Sequence, residues 1–207
     1  MKQKIITMLE LQDAMNSKVN AEWRNAGYEW YRAIWMESAE MLEHYGWKWW
    51  KKQQAEVMQV KLEVVDIVHF ALSIRLVKGS AIDDIAADIA NDFATPRSTN
   101  DIKTSIELLA QQTLMDQGAH FSIIAGVMNH LDMPFDELHE IYVGKNVLNM
   151  FRQDNGYKEG HYIKNWHGRE DNEHLADILH QLDSNSASFK TDVYNALQQA
   201  YPETEAA

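Results

Sequence analysis

An all-α fold is what the sequence predicts, on three observations. Apolar residues recur at helical spacings of three and four almost throughout the 207 residues. Only three prolines and nine glycines interrupt them, too few to turn an all-β chain. Hydrophobic residues make up 45%, enough for a buried core and too many for wholesale disorder. In chain order, Ile5, Met8, Leu9, Leu11 and Met15 mark a first helix ending near Asn20. A second runs from Trp30 to His44, and Gly46 then breaks the pattern. A long third spans Gln54 to Val77, closed by Lys78-Gly79, a basic residue and a glycine where a helix C-terminus favours them. Ser80 to Phe93 follows, with Ser80 as N-cap and Asp83-Asp84 in the first turn. Thr95 to Asn100 reads as a loop, and Asp101 to Leu131 as helix with a break at Gly118. Met133-Pro134 opens another helix over Phe135 to Phe151. Asp154 to Gly168 is loop-like, and Glu170 to Leu182 and Phe189 to Tyr201 form the last helices.

Charge and cysteine usage remove whole classes of function. Nineteen basic residues face 31 acidic ones, for a net charge of −12. A chain this acidic is not a general binder of nucleic acid or of an anionic membrane. Cysteine is absent, so disulfides, thiolate metal sites and cysteine nucleophiles are excluded. The longest uncharged run, Gly118 to Leu131, is too short and too polar to cross a bilayer. A cytoplasmic protein is the expectation.

Two carboxylate pairs carry the first chemical signal. Glu37 and Glu40 are three apart on one helix, beside Trp30, Ala33 and Met41 rather than on the side marked by Arg32 and Glu43. Glu63 and Asp66 are the only charged residues between Leu62 and Ile74. They share a strip with His69, Phe70 and Ser73, on a helix of which more than half the circumference is apolar. A solvated strip would carry Lys, Arg and several Glu, so this one is expected to face protein or a ligand. E-x-x-E alone is common on surface helices; two such pairs in apolar surroundings are not. An antiparallel pairing would converge four hard oxygen donors, which suit Mg²⁺, with Mn²⁺ as a substitute. A di-iron bundle needs two Glu-x-x-His motifs. Asp66 to His69 is the one near match, and Glu40 to His44 has the wrong spacing.

The second signal is a basic segment in an acidic chain. Tyr142 to Glu170 holds five Lys or Arg against three acidic residues. Lys145, Asn149 and Arg152 fall at i, i+4 and i+7, one stripe of a helix and a candidate polyphosphate clamp. Gly156 and Gly160 would let the next loop fold over a ligand, bringing Tyr157, Lys158, Tyr162 and Lys164. With phosphate absent these basic groups have little to hold them, which predicts a mobile segment. Among the aromatics, Trp47, Trp49 and Trp50 sit in a short basic stretch, where one could stack on a base. Gln12 and Asn16, four apart, offer amides able to read a pyrimidine edge.

These residues together resemble the dimeric, all-α dUTPase family of the all-α NTP pyrophosphohydrolase superfamily. The matching segments are Leu11-Gln12 with Asn16, Glu37-Ser38-Ala39-Glu40, Lys48-Trp49-Trp50-Lys51 and Glu63-Val64-Val65-Asp66-Ile67-Val68-His69-Phe70. The longest is Gly144-Lys145-Asn146-Val147-Leu148-Asn149 running into Phe151-Arg152-Gln153-Asp154-Asn155-Gly156-Tyr157-Lys158. Met15 and Val68 depart from the family pattern, and no motif is recognised from about Ser80 to Glu140. The resemblance implies a single domain over 1–207, a multi-helix bundle around a central four-helix metal-binding core, with an insertion or mobile lobe around 80–140. It implies that Glu37, Glu40, Glu63 and Asp66 bind two or more Mg²⁺, with Glu37 also orienting or deprotonating water. Lys145, Asn149, Arg152, Tyr157, Lys158 and Lys164 would grip phosphates, and Gln12, Asn16, Trp49, His69 and Phe70 would form the base and sugar pocket.

The implied activity is hydrolysis of dUTP and dUDP to dUMP, which keeps uracil out of DNA, by a homodimer from a bacterium or phage. Two alternatives stand beside it. One is a hydrolase of the same superfamily acting on dCTP or a modified pyrimidine nucleotide. The other is a non-enzymatic helical interaction module whose acidic pairs are structural.

Overall fold

A computed structural model describes residues 1–184, 186 and 188–202. Nine α-helices and one two-stranded sheet make up the described residues, so the all-α expectation holds. The helices are α1 (Lys2–Val19), α2 (Trp30–Tyr45), α3 (Val57–Val77), α4 (Ile82–Ala94), α5 (Ile102–Asp116), α6 (Phe121–His130), α7 (Phe135–Asp154), α8 (Asp171–Leu179) and α9 (Phe189–Ala200). Strands β1 (Asn165–Trp166) and β2 (Arg169–Glu170) pair antiparallel, a hairpin not anticipated from the sequence. At two residues each, these strands are too short to show an alternating pattern.

Contacts divide the chain into two compact units, Met1–His139 and Glu140–Ala207. In the first, α3 is the central helix. Val60, Leu62, Val64, Val65, Ile67, Val68, Ala71 and Leu72 are all buried, so α3 is covered on nearly every side. Burying each Val, Leu or Ile contributes about 1.5–3 kcal/mol, which makes α3 the main anchor of this unit. It packs along α2 and also meets α1 and α6. Residues 80–140, expected as an insertion or mobile lobe, run as α4, α5, α6 and the start of α7. They are built into the same core: α4 packs on α1, α5 on α2, and α6 on α3, α4 and α5.

Several helix ends differ from expectation for local reasons. α3 begins at Val57, not Gln54, with Glu56 at its N-cap, and the Glu56 N–H donates to the carbonyl of His44 at 2.9 Å. Ala81, not Ser80, occupies the N-cap of α4. The break expected at Gly118 falls over Gln117 to His120, where Gln117 is left-handed and ends α5. α5 starts at a designed-looking cap: the Asp101 carboxylate accepts from the N–H of Lys103 and of Thr104. Gly126 of α6 lies so near the 95–100 loop that a Cβ there would sit 2.0 Å from the Arg97 carbonyl oxygen.

In the second unit, α8 packs on α9 and on β2. An aromatic cluster forms its centre: Phe151 meets Trp166, Tyr194 and Tyr201 edge-on at 5.3–6.0 Å. α7 comes close to α8 at Gly144, where an added Cβ would lie 2.7 Å from a Leu179 methyl carbon. α8 opens with a reciprocal capping box between Glu170 and Glu173.

Candidate active site

The long contact between α2 and α3 brings acidic residues from both helices together. Carboxylate oxygens of Glu37, Glu63 and Asp66 lie within 4.8 Å of one another. Glu63 is buried and the other two are half-buried. Glu40 is not in this group; it is exposed. The expectation that Glu37 and Glu40 share an apolar face is corrected here. Residues three apart differ by about 60° around a helix, and the edge of the α2–α3 contact falls between them.

Three carboxylates this close cannot all ionise cheaply. Burial, the Asp66 charge, a hydrogen bond to Glu63 and the charges of Glu63 and Glu40 push the Glu37 carboxyl up to about 8. Glu37 therefore holds a proton near neutral pH while no cation is present. Such a cluster of hard oxygen donors fits a hard divalent cation. His44 adds a feature outside the sequence reading. Its Nδ1 lies 2.7 Å from Glu56 and its Nε2 3.6 Å from Glu63, so a carboxylate–imidazole pair backs the cluster. Glu56 precedes α3, and no spacing rule links it to His44.

The strip of α3 that continues past Asp66 carries a polar network against α1. Gln12 donates from Nε2 to Asn16 Oδ1 at 2.9 Å, and its Oε1 lies 2.7 Å from His69 Nδ1. Asn16 donates to the Ser73 hydroxyl at 2.9 Å, which in turn donates to the His69 carbonyl at 3.0 Å. All four side chains are buried. At about 1.5 Å per residue, Asp66 to Ser73 spans about 10 Å along α3, the scale separating a nucleotide's base from its phosphates. Phe70 lies beside Trp30, ring centroids 6.2 Å apart. Trp49 lies outside this network: it is 89% exposed and stands edge-on to Trp50 at 5.4 Å. Ser73 was noted only as part of the strip, and its hydroxyl turns out to tie α1 to α3.

The basic stripe belongs to the second unit. Lys145 is buried and donates to Asn172 Oδ1 at 2.9 Å. Arg152 donates from Nε and Nη2 to the two oxygens of Asp171, each at 2.8 Å, and from Nη1 to Asn149 Oδ1 at 3.0 Å. Lys164 pairs with Glu170 at 3.0 Å, and Tyr157 is half-exposed beside Tyr162. Lys158 is exposed and follows the turn that ends α7. The reason given for a mobile segment, cations without partners, is thus corrected: Arg152, Lys145 and Lys164 have protein partners without phosphate. Asp171 and Asn172 went unnoticed in the sequence because Arg169-Glu170-Asp171-Asn172-Glu173 reads as a solvated helix start.

A model of the dUTPase family matches residues 4–157. The chain belongs to the all-α dUTPase family. The match spans the carboxylates of α2 and α3, the amide network and the stripe of α7, and it marks the chain as a dUTP diphosphatase. No curated protein matches the chain. No helix among the described residues is long and apolar enough to cross a membrane.

Proposed function

We propose that this dUTPase hydrolyses dUTP and dUDP to dUMP with Mg²⁺ held by Glu37, Glu63, Asp66 and, after rotation of its exposed side chain, Glu40. The observation that carries this reading is the convergence of three carboxylates within 4.8 Å, one of them pushed up to about 8 by its neighbours. Two or more Mg²⁺, or Mn²⁺ in their place, would neutralise the triphosphate and acidify a bound water. Glu37 is the general base: once cations offset the neighbouring charges, it is free to accept the proton of the attacking water. His44, fixed by Glu56 at 2.7 Å, stands 3.6 Å from Glu63 at the edge of the cluster.

Gln12, Asn16 and His69 present the polar edge that reads uracil, and Phe70 and Trp49 supply apolar surface for base and sugar. Lys145, Asn149, Arg152, Tyr157, Lys158 and Lys164 bind the phosphates and stabilise charge on the leaving group. The substrate is a free nucleotide rather than nucleic acid, in keeping with a charge of −12. A cytoplasmic location is part of the proposal. A homodimer is part of the proposal. Its support is the exposed apolar side chains of Trp35, Met36, Trp47 and Trp50, each 38–57% exposed.

Glu37→Gln and Glu63→Gln each test the assignment. Both variants are expected to keep the helical circular dichroism of the parent and to lose Mg²⁺-dependent dUTP hydrolysis by at least a hundredfold. Full activity in either overturns the metal assignment.

A further inference from the structure

The family match stops at residue 157, yet the cations of α7 are held by two residues beyond it. Asp171 is the first residue of α8 and has no exposed surface. Both its oxygens accept from Arg152 at 2.8 Å, and Oδ2 also accepts from the Tyr162 hydroxyl at 2.8 Å. Asn172, the next residue, accepts from Lys145 at 2.9 Å and from Arg152 at 3.4 Å. Two adjacent side chains thus engage Lys145, Arg152 and Tyr162 at once. Burial alone would raise the Asp171 carboxyl, but the Arg152 hydrogen bonds and charge, with the Tyr162 hydroxyl, outweigh it and hold it below the usual carboxylate range. The N-terminal end of α8 favours the same ionised form.

A buried ion pair is a poor way merely to fasten two helices, since apolar residues of similar size do so at lower desolvation cost. What the pair supplies is orientation. A side-on fork fixes the guanidinium plane in a way a single contact does not. With Nε and Nη2 on Asp171, the direction of Nη1 is set, and its partner is the neutral amide oxygen of Asn149. A phosphate oxygen displaces that neutral acceptor more readily than it displaces a buried carboxylate.

We propose that Asp171, seconded by Asn172, is the positioning residue of the phosphate clamp. It aims Arg152, while Asn172 holds Lys145, and it stays bonded to Arg152 when nucleotide binds. The proposal rests on the reading of Arg152 and Lys145 as phosphate ligands, and the experiment separates the two.

The test is a double-mutant cycle on the full chain. The readouts are the dissociation constant of α,β-imido-dUTP with Mg²⁺ and steady-state kinetics with dUTP. Asp171→Asn and Arg152→Gln are each expected to weaken analogue binding at least tenfold. The double variant is expected to bind within twofold of Arg152→Gln alone. Asp171→Asn should also raise KM for dUTP by a similar factor. A purely structural role would lower the folded fraction, reducing apparent kcat and leaving KM alone. Losses that multiply in the double variant, or an unchanged KM, overturn the positioning role. Wild-type binding by Asp171→Asn beside a weakened Arg152→Gln overturns it while leaving the clamp intact. Wild-type binding by Arg152→Gln removes the clamp reading and the proposal with it. Should Asp171→Asn not fold, Tyr162→Phe, which removes the other donor to Asp171, carries the same cycle. It is then expected to cost three- to tenfold with Arg152 present and under twofold with Arg152→Gln, and multiplying losses again overturn the role.

Discussion

In the proposed mechanism, Glu37 is the residue on which pH and cation binding meet. Its carboxyl is pushed up to about 8 by burial and by Asp66, Glu63 and Glu40. Between its ordinary value of 4.5 and about 8, the folded chain keeps a proton that the unfolded chain has released. Stability contributed by this group is therefore present below 4.5, falls as pH rises through that window, and is fully lost above about 8. The cation-free protein should have a lower thermal midpoint at pH 9 than at pH 6, and Mg²⁺ should restore more at pH 9. Differential scanning fluorimetry with EDTA or Mg²⁺ reads this directly. A Mg²⁺ shift that is equal at both pH values would contradict the account. Asp171 carries the opposite sign. Held below the usual carboxylate range, it contributes stability that is present above its ordinary 3.8 and is lost as pH falls through its folded value. These residues differed in how openly the sequence showed them. Glu63 and Asp66 stood out because their neighbours on α3 are apolar. Asp171 did not, because its partners Arg152 and Tyr162 are 19 and 9 residues away in the chain, and only folding brings them to it.

At the scale of elements, close helix approaches position the chemistry. α7 can lay Lys145 and Arg152 against the start of α8 because Gly144 lacks the Cβ that would meet Leu179 at 2.7 Å. Gly144→Ala should cost about 1–3 kcal/mol in urea unfolding, the usual penalty of overpacking. In a Leu179→Ala background, which removes the obstructing methyls, the same substitution should cost less than it does in the parent. If Gly144→Ala is neutral, the two helices are not held by this contact. Gly126→Ala has no such escape, because its obstruction is the backbone carbonyl of Arg97 at 2.0 Å. It should lower the midpoint more than Gly144→Ala, as read in the same urea series. Helix periodicity located α1, α2, α3 and α7 to within a few residues, since each buries an apolar face at regular spacing. The β1–β2 hairpin escaped the same reading because two-residue strands leave no period to detect. Glu40 was misread for a related reason: periodicity gives the angle of a residue around its helix, not where the partner helix ends.

For the whole molecule, the family match spans both helices that bear the carboxylates and stops before Asp171. The sequence alone indicated an acidic metal cluster and a basic phosphate stripe, each written in one or two contiguous helices. It did not show how residues 80–140 pack, because α4, α5 and α6 carry core rather than chemistry. The exposed Trp35, Met36, Trp47 and Trp50 should be covered in a dimer, so sedimentation velocity is expected to give about twice the 23.9 kDa chain mass. A monomer at micromolar concentration would leave that apolar surface unexplained. The most direct test of the central claim is a product assay across dUTP, dUDP, dCTP and dTTP with Mg²⁺ or EDTA. The account predicts dUMP from dUTP and dUDP, with pyrophosphate from dUTP, and no turnover once EDTA is added. Release of dUMP that persists undiminished in EDTA, or no dUMP at all with Mg²⁺ present, would contradict it.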